Sequence, residues 1–309
     1  MSKFLKIALL LCSSLSLAQS VSQTEIKINE LITGTLFSTN ANYNAVLIVS
    51  VGSGPTDRFG NQYGAESNSI KFLAEELAKK GIAVFSYDKR FFVLAKNPNF
   101  DEVSLNFEDM ITDAKAVALH FQQLPQVKKI YLLGHSEGAL VMSVTAQDSK
   151  LTKLRGYVSL SGPAQAAGVL LVEQIAKQAP FLREDVQKAV DKLNKGETFK
   201  LENQMLASIF RESVQPYLIS WFKYNPSAEI AKVTAPILIV QGTADLQVPT
   251  SDANLLATAA KVDKPVLIEK MNHVLKIVNS QEENVASYND QIKAISPELI
   301  SAVFTFCNK

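Results

Sequence analysis

The sequence predicts an α/β fold with a mostly parallel, doubly wound sheet, and three observations lead to that prediction. Short apolar, β-branched segments recur along the chain, as at residues 45–51 (AVLIVSV). Such continuous runs are typical of strands that are covered on both faces. Between them lie segments such as residues 107–121, whose apolar positions recur at intervals of three and four, which is helical spacing. This alternation of strand and helix is typical of a sheet with helices on both faces.

The individual elements follow from the same patterns. Residues 25–37 alternate weakly between apolar and polar positions, and we expect them to add antiparallel strands at one edge. Further strands are predicted over residues 45–51, 82–87, 129–133, 156–160, 236–241 and 265–269. Helices are predicted from Ile70 to a stop at Gly81, over residues 107–121, directly after Ser136, over residues 252–260 and over about residues 292–306.

One long region interrupts the alternation. Between residues 163 and 228 the sequence has no clear strand pattern, and large apolar side chains such as Phe181 and Trp221 are scattered through a helical composition. A stretch of this length is too long for a simple connection between two core strands. We therefore predict a helical cap over residues 163–228, inserted into a core formed by residues 19–162 and 229–309.

The first 18 residues have the pattern of a secretory signal peptide. Lys3 and Lys6 give a positive start, an apolar stretch follows, and the small residues Ser16 and Ala18 precede a cleavage site before Gln19. The apolar stretch is short for a membrane span, and a retained N-terminal anchor is the alternative interpretation. We predict a signal peptide over residues 1–18 and an exported protein, periplasmic or secreted, without stable membrane insertion after the signal is removed.

Composition excludes several classes of function. The chain has 309 residues, of which 47% are hydrophobic, and its net charge is +1; a nucleic-acid partner would need a basic surface. Three dispersed histidines do not predict a zinc site, and no glycine-rich nucleotide motif is present, so no cofactor and no metal are predicted. Without the signal peptide, Cys307 is the single cysteine and cannot form an internal disulfide.

The strongest local motif is Gly134-His135-Ser136-Glu137-Gly138. It has the G-x-S-x-G pattern of a nucleophile elbow, in which a serine on a tight turn exposes its hydroxyl group. The motif directly follows a predicted strand (KIYLL) and directly precedes an apolar helical segment (ALVMSVTA), which is the context that such a turn requires. Ser136 is therefore the predicted nucleophile.

A serine hydroxyl needs a base, and the base needs an orienting acid. His273 follows the strand PVLIE, at the sheet edge where open α/β sheets bind ligands, whereas the His135 side chain is expected to point away along the turn. Asp245 follows the strand PILIVQ and lies between Ser136 and His273 in the chain, as the order serine, acid, histidine requires. We predict a triad of Ser136, Asp245 and His273.

An oxyanion hole needs backbone N–H groups aimed at the developing negative charge. One should come from Glu137, the residue after the nucleophile, and the other from the loop after the strand AVLIVSV. Ser53 is the favoured second donor, and Gly54 is the alternative.

Four segments together resemble a known family. They are residues 52–58 (GSGPTDR), 87–90 (YDKR), the elbow GHSEG and residues 242–249 (GTADLQVP). They are similar to bacterial α/β-hydrolases of the serine aminopeptidase-like, S33-type esterase group over roughly residues 46–275. The resemblance implies the α/β-hydrolase fold with a helical cap, carboxylesterase activity with a preference for small acyl groups, and the same triad of Ser136, Asp245 and His273.

One segment departs from that group. Relatives continue the DKR segment with a glycine-rich stretch that ends in serine, whereas here Phe91-Phe92-Val93 follow. We expect these bulky residues to border the active-site edge and to reshape or narrow the substrate pocket.

The predicted function is hydrolysis of a small-molecule carboxylic ester, with a short acyl chain, through an acyl-enzyme on Ser136. The same triad also serves aminopeptidases, thioesterases and acyltransferases. An aminopeptidase would need acidic side chains in the cap to bind an amine, and Glu173, Glu184, Asp185 and Glu202 are candidates. From a different class, a non-catalytic protein that binds an apolar ligand in the capped pocket is the alternative.

Overall fold

An eight-stranded sheet forms the centre of the computed structural model, which describes residues 20–309. The predicted signal peptide, residues 1–18, lies outside the described residues. The strands are β1 (Ser22–Lys27), β2 (Thr33–Ser38), β3 (Ala45–Ser50), β4 (Ala83–Tyr87), β5 (Lys129–His135), β6 (Leu154–Leu160), β7 (Ile237–Gly242) and β8 (Val266–Ile268). Their order along the sheet is β1-β2-β4-β3-β5-β6-β7-β8.

The pairing confirms a mostly parallel sheet with antiparallel strands at one edge. Strands β3 to β8 are parallel to one another, whereas β2 is antiparallel to both β1 and β4. The chain passes from β3 to β4 on one side and then places β5 on the other side of β3. Open α/β sheets bind ligands at the carboxyl ends of strands where the order reverses in this way. A ligand site is therefore expected at the loops after β3 and β5.

Helices cover both faces of the sheet. They are α1 (Ser69–Lys79), α2 (Phe91–Leu94), α3 (Phe107–Gln123), α4 (Glu137–Thr145), α5 (Ala167–Gln178), α6 (Arg183–Asn194), α7 (Ala207–Phe210), α8 (Gln215–Phe222), α9 (Pro226–Ile230), α10 (Thr250–Ala260), α11 (Gln281–Ala286) and α12 (Pro297–Cys307). Alternate residues of β3 enter different apolar clusters, because successive side chains of a strand point to opposite faces. Val46 and Ile48 pack with α3 and α4, whereas Leu47 and Val49 pack with α1 and α12. None of the helices in residues 20–309 has the length and apolar character needed to cross a membrane.

Helices α5 to α9 lie between β6 and β7, and most of them share an apolar cluster of their own. Val186, Phe210 and Leu218 are among its buried members. This group of helices is fastened to the core by Arg211, which pairs with both carboxylate oxygens of Glu102 in the loop before α3. Burial alone would raise the pKa of Glu102, but the hydrogen bonds from Arg211 and Ser213 lower it. The limits of the cap, residues 163–228, stay a prediction.

Several element boundaries differ from those that the sequence predicts, and the causes of two of these differences are clear. The last helix begins at Pro297 rather than near residue 292, because the Ser296 hydroxyl accepts a hydrogen bond from the Leu299 N–H and caps the helix there. Strand β5 continues to His135, two residues beyond the predicted end at 133, and it pairs with β6 along that extension. The nucleophile candidate is consequently the first residue after the strand.

Candidate active site

Ser136 occupies a strained turn between β5 and α4. Its backbone has φ 56° and ψ −122°, a conformation that is costly for a residue with a side chain. The turn brings backbone segments so close together that the flanking positions must be glycine. A Cβ atom at Gly134 would lie 2.0 Å from the Gly138 carbonyl oxygen, and one at Gly138 would lie 2.3 Å from the Ser50 carbonyl oxygen. The motif therefore forms the tight turn that exposes a serine hydroxyl.

The predicted acid and base are in direct contact. His273 Nδ1 lies 2.8 Å from Asp245 Oδ2, and the Asp245 side chain is fully buried. The other carboxylate oxygen accepts hydrogen bonds from the N–H groups of Gln247 and Val248, at 2.8 and 3.0 Å. Burial alone would raise the pKa of Asp245, but the His273 ring and these N–H donors lower it. Asp245 is thus a carboxylate that can hold a proton on Nδ1 and leave Nε2 of His273 free to act as a base.

His135 holds the loop that carries His273. Its Nε2 lies 2.9 Å from the His273 carbonyl oxygen, and since a carbonyl oxygen only accepts, Nε2 must donate. Burial lowers the pKa of His135 to about 3, so the ring is neutral near pH 7. The sequence did not predict this role of His135, because its partner is a backbone carbonyl group 138 residues away. Every residue type has a backbone carbonyl group, so the identity of residue 273 gives no sign of the contact.

Ser136 and His273 line the same cavity, although their side chains are not bonded to each other. In the part of the chain that the structure describes, the Ser136 hydroxyl makes no hydrogen bond to the His273 ring. Such contacts are often long without substrate and tighten in the reactive complex. The structure thus brings the three predicted triad residues to one site.

Both predicted oxyanion donors border the same space as Ser136. Within residues 20–309 neither the Ser53 N–H nor the Glu137 N–H donates a hydrogen bond to another protein group, so both are available for a ligand. The Ser53 peptide is held from its other side, since its carbonyl oxygen accepts from Thr56 Oγ1 at 2.7 Å and from Gln62 Nε2 at 2.9 Å. Gly52 allows the close approach of this loop to the elbow, because a Cβ there would lie 3.2 Å from Ser136 Cβ.

Lys89 joins the two backbone segments that carry these donors. Its Nζ donates to the Gly52 carbonyl oxygen at 2.6 Å and to the Gly54 carbonyl oxygen at 3.2 Å. It also pairs with Glu137 Oε1 at 3.1 Å, and the Glu137 side chain is only 2% exposed. The lysine therefore ties the loop after β3 to the first residue of α4. Sequence inspection missed this role, because the segments that it joins are far apart along the chain.

The neighbours of Lys89 in the DKR segment are also fixed by ion pairs. Asp88 Oδ2 accepts from Arg58 Nη2 at 2.7 Å, and Arg90 Nη2 donates to Asp113 Oδ1 at 2.7 Å. Phe91, the first residue after the DKR segment, starts α2 and lines the space next to Ser136. The segment thus sets the position of Lys89 and places an aromatic side chain at the site.

Two cavities meet at Ser136. The cap cavity, of about 360 Å³, lies under α5, α7 and α8, and its lining includes Leu105, Met110, Leu171, Ile209, Leu218 and Trp221. The loop cavity, of about 260 Å³, lies beside His273, and its lining includes Thr56, Gln62, Ser67, Ser69 and Tyr288. Ser53, Gly54, Ser136 and Gln247 border both cavities.

Within residues 20–309, no group of three or more His, Cys, Asp or Glu side chains could hold a metal ion. Cys307 is buried in the core, far along the chain from the elbow. The groups suited to chemistry here are those of the triad and the backbone donors beside it.

Comparison with known proteins finds similarity to a serine aminopeptidase family and to two esterases. The family model described as serine aminopeptidase, S33, matches residues 61–208, a range that contains Ser136 but neither Asp245 nor His273. Esterase EstD of Thermotoga maritima is 25% identical over 246 residues, which cover 75% of this chain and 55% of EstD. The chain thus spans little more than half the length of that relative. Rhodomycin D methylesterase DauP of a Streptomyces species is 26% identical over 254 residues, or 71% of this chain and 84% of DauP.

Solved structures share the fold at low sequence identity. Est1E from Butyrivibrio proteoclasticus superposes with a TM-score of 0.58 and 16% identity, covering 93% of this chain and 99% of Est1E. The Pyrococcus furiosus esterase Pf2001 gives a TM-score of 0.55 and 17% identity, with 94% and 91% covered. These likenesses show the common architecture of sheet and helices.

We expect His135 to make the fold sensitive to acid. Because the pKa of His135 is lowered from 6.5 to about 3, the unfolded chain binds a proton between these pH values that the folded protein does not. The free energy of unfolding therefore falls as the pH falls through this window. His135→Gln keeps a side-chain N–H but does not titrate, so it should lose less stability than the wild type between about pH 6.5 and about pH 4 in urea unfolding. An equal loss in both proteins would contradict the assignment.

Proposed function

Because the chain belongs to the α/β-hydrolase family, we propose that it is a serine hydrolase that cleaves carboxylic esters through an acyl-enzyme on Ser136. One observation carries the proposal: His273, which is hydrogen-bonded to Asp245, borders the same cavity as a serine on a strained elbow. The esterase names of the relatives support the same class of substrate.

The first half of the proposed reaction forms the acyl-enzyme. His273 Nε2 accepts the proton of the Ser136 hydroxyl as Oγ attacks the ester carbonyl carbon. Asp245 keeps the other ring proton on Nδ1 and stabilises the positive charge that the ring gains. The N–H groups of Ser53 and Glu137 donate to the carbonyl oxygen as it becomes negative, and such donors contribute a large part of the rate.

The second half releases the acid. The tetrahedral intermediate collapses, the bond to the alcohol oxygen breaks, and that oxygen takes the proton from His273 Nε2. Water then enters, gives its proton to His273 and attacks the acyl carbon, and Ser136 recovers its proton as the acid leaves. Each proton that moves in either half passes through Nε2, so the orientation of this ring decides whether the transfers can occur.

The finer part of the proposal concerns acyl length. A preference for short acyl chains rests on the resemblance to small-acyl carboxylesterases. Phe91 lines the cap cavity beside Ser136, and its bulky ring supports a narrower space for the acyl chain. A chain-length series therefore belongs to the first experiment.

An aminopeptidase is disfavoured by the charges in the cap cavity. Among the described residues, its lining holds two carboxylates, Glu102 and Glu137. Glu102 is paired with Arg211 and Glu137 with Lys89, so each carboxylate already has a cationic partner, although Glu137 Oε2 accepts no hydrogen bond from the described residues. Glu173, Glu184, Asp185 and Glu202 do not line the cavity. An uncharged ester fits these surroundings better.

The nucleophile is tested with p-nitrophenyl acetate, butyrate and octanoate. Ser136→Ala should lower kcat by about 10⁴-fold or more, since it removes the group that bonds to the acyl carbon. Ser143→Ala is the matched control: it is the same exchange within α4, the helix that follows the elbow, at a hydroxyl that donates to the Leu140 carbonyl oxygen and lines neither cavity. It should retain activity.

Ester hydrolysis that survives in Ser136→Ala would contradict the proposal. If no ester is hydrolysed, labelling by a fluorophosphonate decides between a reactive serine and a binding protein. An unlabelled Ser136 in the wild-type chain would then favour the non-catalytic alternative.

Lys89 is expected to act as a positioning residue for the oxyanion donors. Lys89→Met removes its hydrogen bonds to Gly52 and Gly54 and should lower kcat by about 10²-fold with little change in KM, because the donors lose their alignment. It also leaves the buried Glu137 carboxylate unpaired, which lowers stability. The double variant Lys89→Met/Glu137→Gln removes that charge, so its melting temperature should recover while kcat does not. Recovery of both together would mean that Lys89 serves stability alone.

We further propose that the protein is exported, on the signal-peptide pattern of residues 1–18. Cleavage before Gln19 leaves that residue at the start of the mature chain. N-terminal sequencing of the protein recovered from its native cells tests this, and Met1 as the first residue would contradict it.

A further inference from the structure

We infer that the substrate joins an apolar acid to a polar, hydroxyl-bearing alcohol, with the acyl group in the cap cavity and the alcohol in the loop cavity. The inference rests on the proposed function and specifies its substrate class. It follows from the way the two cavities divide the groups around Ser136.

The chemistry of the triad fixes which cavity receives the alcohol. The alcohol oxygen must accept its proton from His273, so the alcohol must lie on the His273 side of Ser136. The carbonyl oxygen must point towards the N–H groups of Ser53 and Glu137, and the acyl chain takes the remaining direction. His273 lines the loop cavity and not the cap cavity, whereas Glu137 lines the cap cavity and not the loop cavity. The alcohol therefore belongs in the loop cavity and the acyl group in the cap cavity.

The cap cavity suits an apolar acyl group. Its walls are supplied mainly by aliphatic and aromatic side chains from α5, α7 and α8, such as Leu171, Ile209 and Trp221. The charged groups that reach it form two ion pairs, Lys89 with Glu137 and Arg211 with Glu102, and Glu137 Oε2 is the carboxylate oxygen there that accepts no hydrogen bond from the described residues. A polar acyl group would lose its hydrogen bonds to water on entering this cavity and would find few protein groups to replace them.

The loop cavity offers hydrogen-bonding groups with unused capacity. In the described residues, the buried Ser69 hydroxyl makes no hydrogen bond. The Tyr288 hydroxyl accepts from Gln247 Nε2 at 3.0 Å but donates to no protein group. Burial raises the pKa of Tyr288 to about 12, so this hydroxyl keeps its proton at neutral pH. Gln62 and Gln247 each add a side-chain carbonyl oxygen that accepts no hydrogen bond from the described residues.

An apolar alcohol would leave the Ser69 and Tyr288 hydroxyl protons without an acceptor as it displaced water, and unpaired polar groups are costly where they are buried. A hydroxyl-bearing alcohol can give a hydrogen bond to the amide oxygens of Gln62 and Gln247 and accept one from Ser69 or Tyr288. Discrimination by such a site acts on the alcohol part of the ester, separately from the acyl length that the cap cavity selects.

A matched pair of esters tests the inference. Propyl butanoate and 2,3-dihydroxypropyl butanoate share the acyl group and the three-carbon alcohol, and they differ by two hydroxyl groups. The ratio of their kcat/KM values, measured by acid release, is divided by the ratio of their alkaline hydrolysis rates to remove the effect of the leaving group. We expect a preference of about tenfold or more for the dihydroxypropyl ester. The double variant Ser69→Ala/Tyr288→Phe should reduce that preference to near unity.

The matched control is Leu171→Ala, on the opposite side of Ser136. It enlarges the cap cavity and should shift the acyl-length profile of p-nitrophenyl esters, while the preference between the two alcohols stays as in the wild type. If the preference also collapses in Leu171→Ala, the assignment of alcohol and acyl group to separate cavities is overturned.

Failure of the inference differs from failure of the proposed function. Hydrolysis of both butanoates with no corrected preference in the wild type would overturn the inference and leave the Ser136 esterase intact. A preference for hydroxyls on the acyl side, seen by comparing methyl 2,3-dihydroxypropanoate with methyl propanoate, would reverse the assignment of the cavities. Absence of all ester hydrolysis, p-nitrophenyl esters included, would overturn the proposed function itself.

Discussion

The site depends on one backbone constraint, the strained turn at Ser136. Its positive φ of 56° is held by the backbones that crowd it, and only glycine fits at positions 134 and 138. A Cβ atom at Gly138 would collide with the Ser50 carbonyl oxygen at the end of β3. Forming the turn therefore also packs the start of α4 against that strand. The proposed nucleophile and the loop of the proposed oxyanion donor Ser53 become neighbours as a consequence of the same packing, and neither can shift without the other.

Groups far apart in the chain then fix the remaining parts around that turn. Lys89 bonds the oxyanion loop and the elbow helix together, and His135 fastens the loop of His273 to the end of β5. Asp245 receives two backbone N–H donors of its own loop and keeps its charge although it is buried. The positions of Lys89, His135 and Asp245 are fixed by contacts that take no part in the proposed reaction. The candidate site is therefore organised before a substrate arrives.

The sheet, most of its strands and helices and the residues of the site could be predicted because they depend on local patterns. Apolar runs indicated β3 to β7, the elbow motif indicated Ser136, and the ends of strands indicated Asp245 and His273.

The roles of Lys89 and His135 could not be predicted, since each binds backbone groups that carry no sequence signal. Nor could the two cavities, whose separation depends on how α5 to α8 lie over the sheet; residue types in the region 163–228 indicated helices but not the space beneath them. The start of α12 was misplaced because Ser296 and Pro297 define a cap that the preceding apolar pattern obscured.

The central claim, that Ser136 carries the acyl group, is tested most directly by trapping it. Purified chain turning over p-nitrophenyl butyrate is quenched in acid, digested and examined by mass spectrometry, since an activated ester makes release of the acyl group the slower step. We predict one butyryl group on the peptide that contains Ser136, formed within the first turnover and absent from Ser136→Ala. Turnover of the ester with no acyl group on Ser136, or with the group on another residue, would contradict the mechanism.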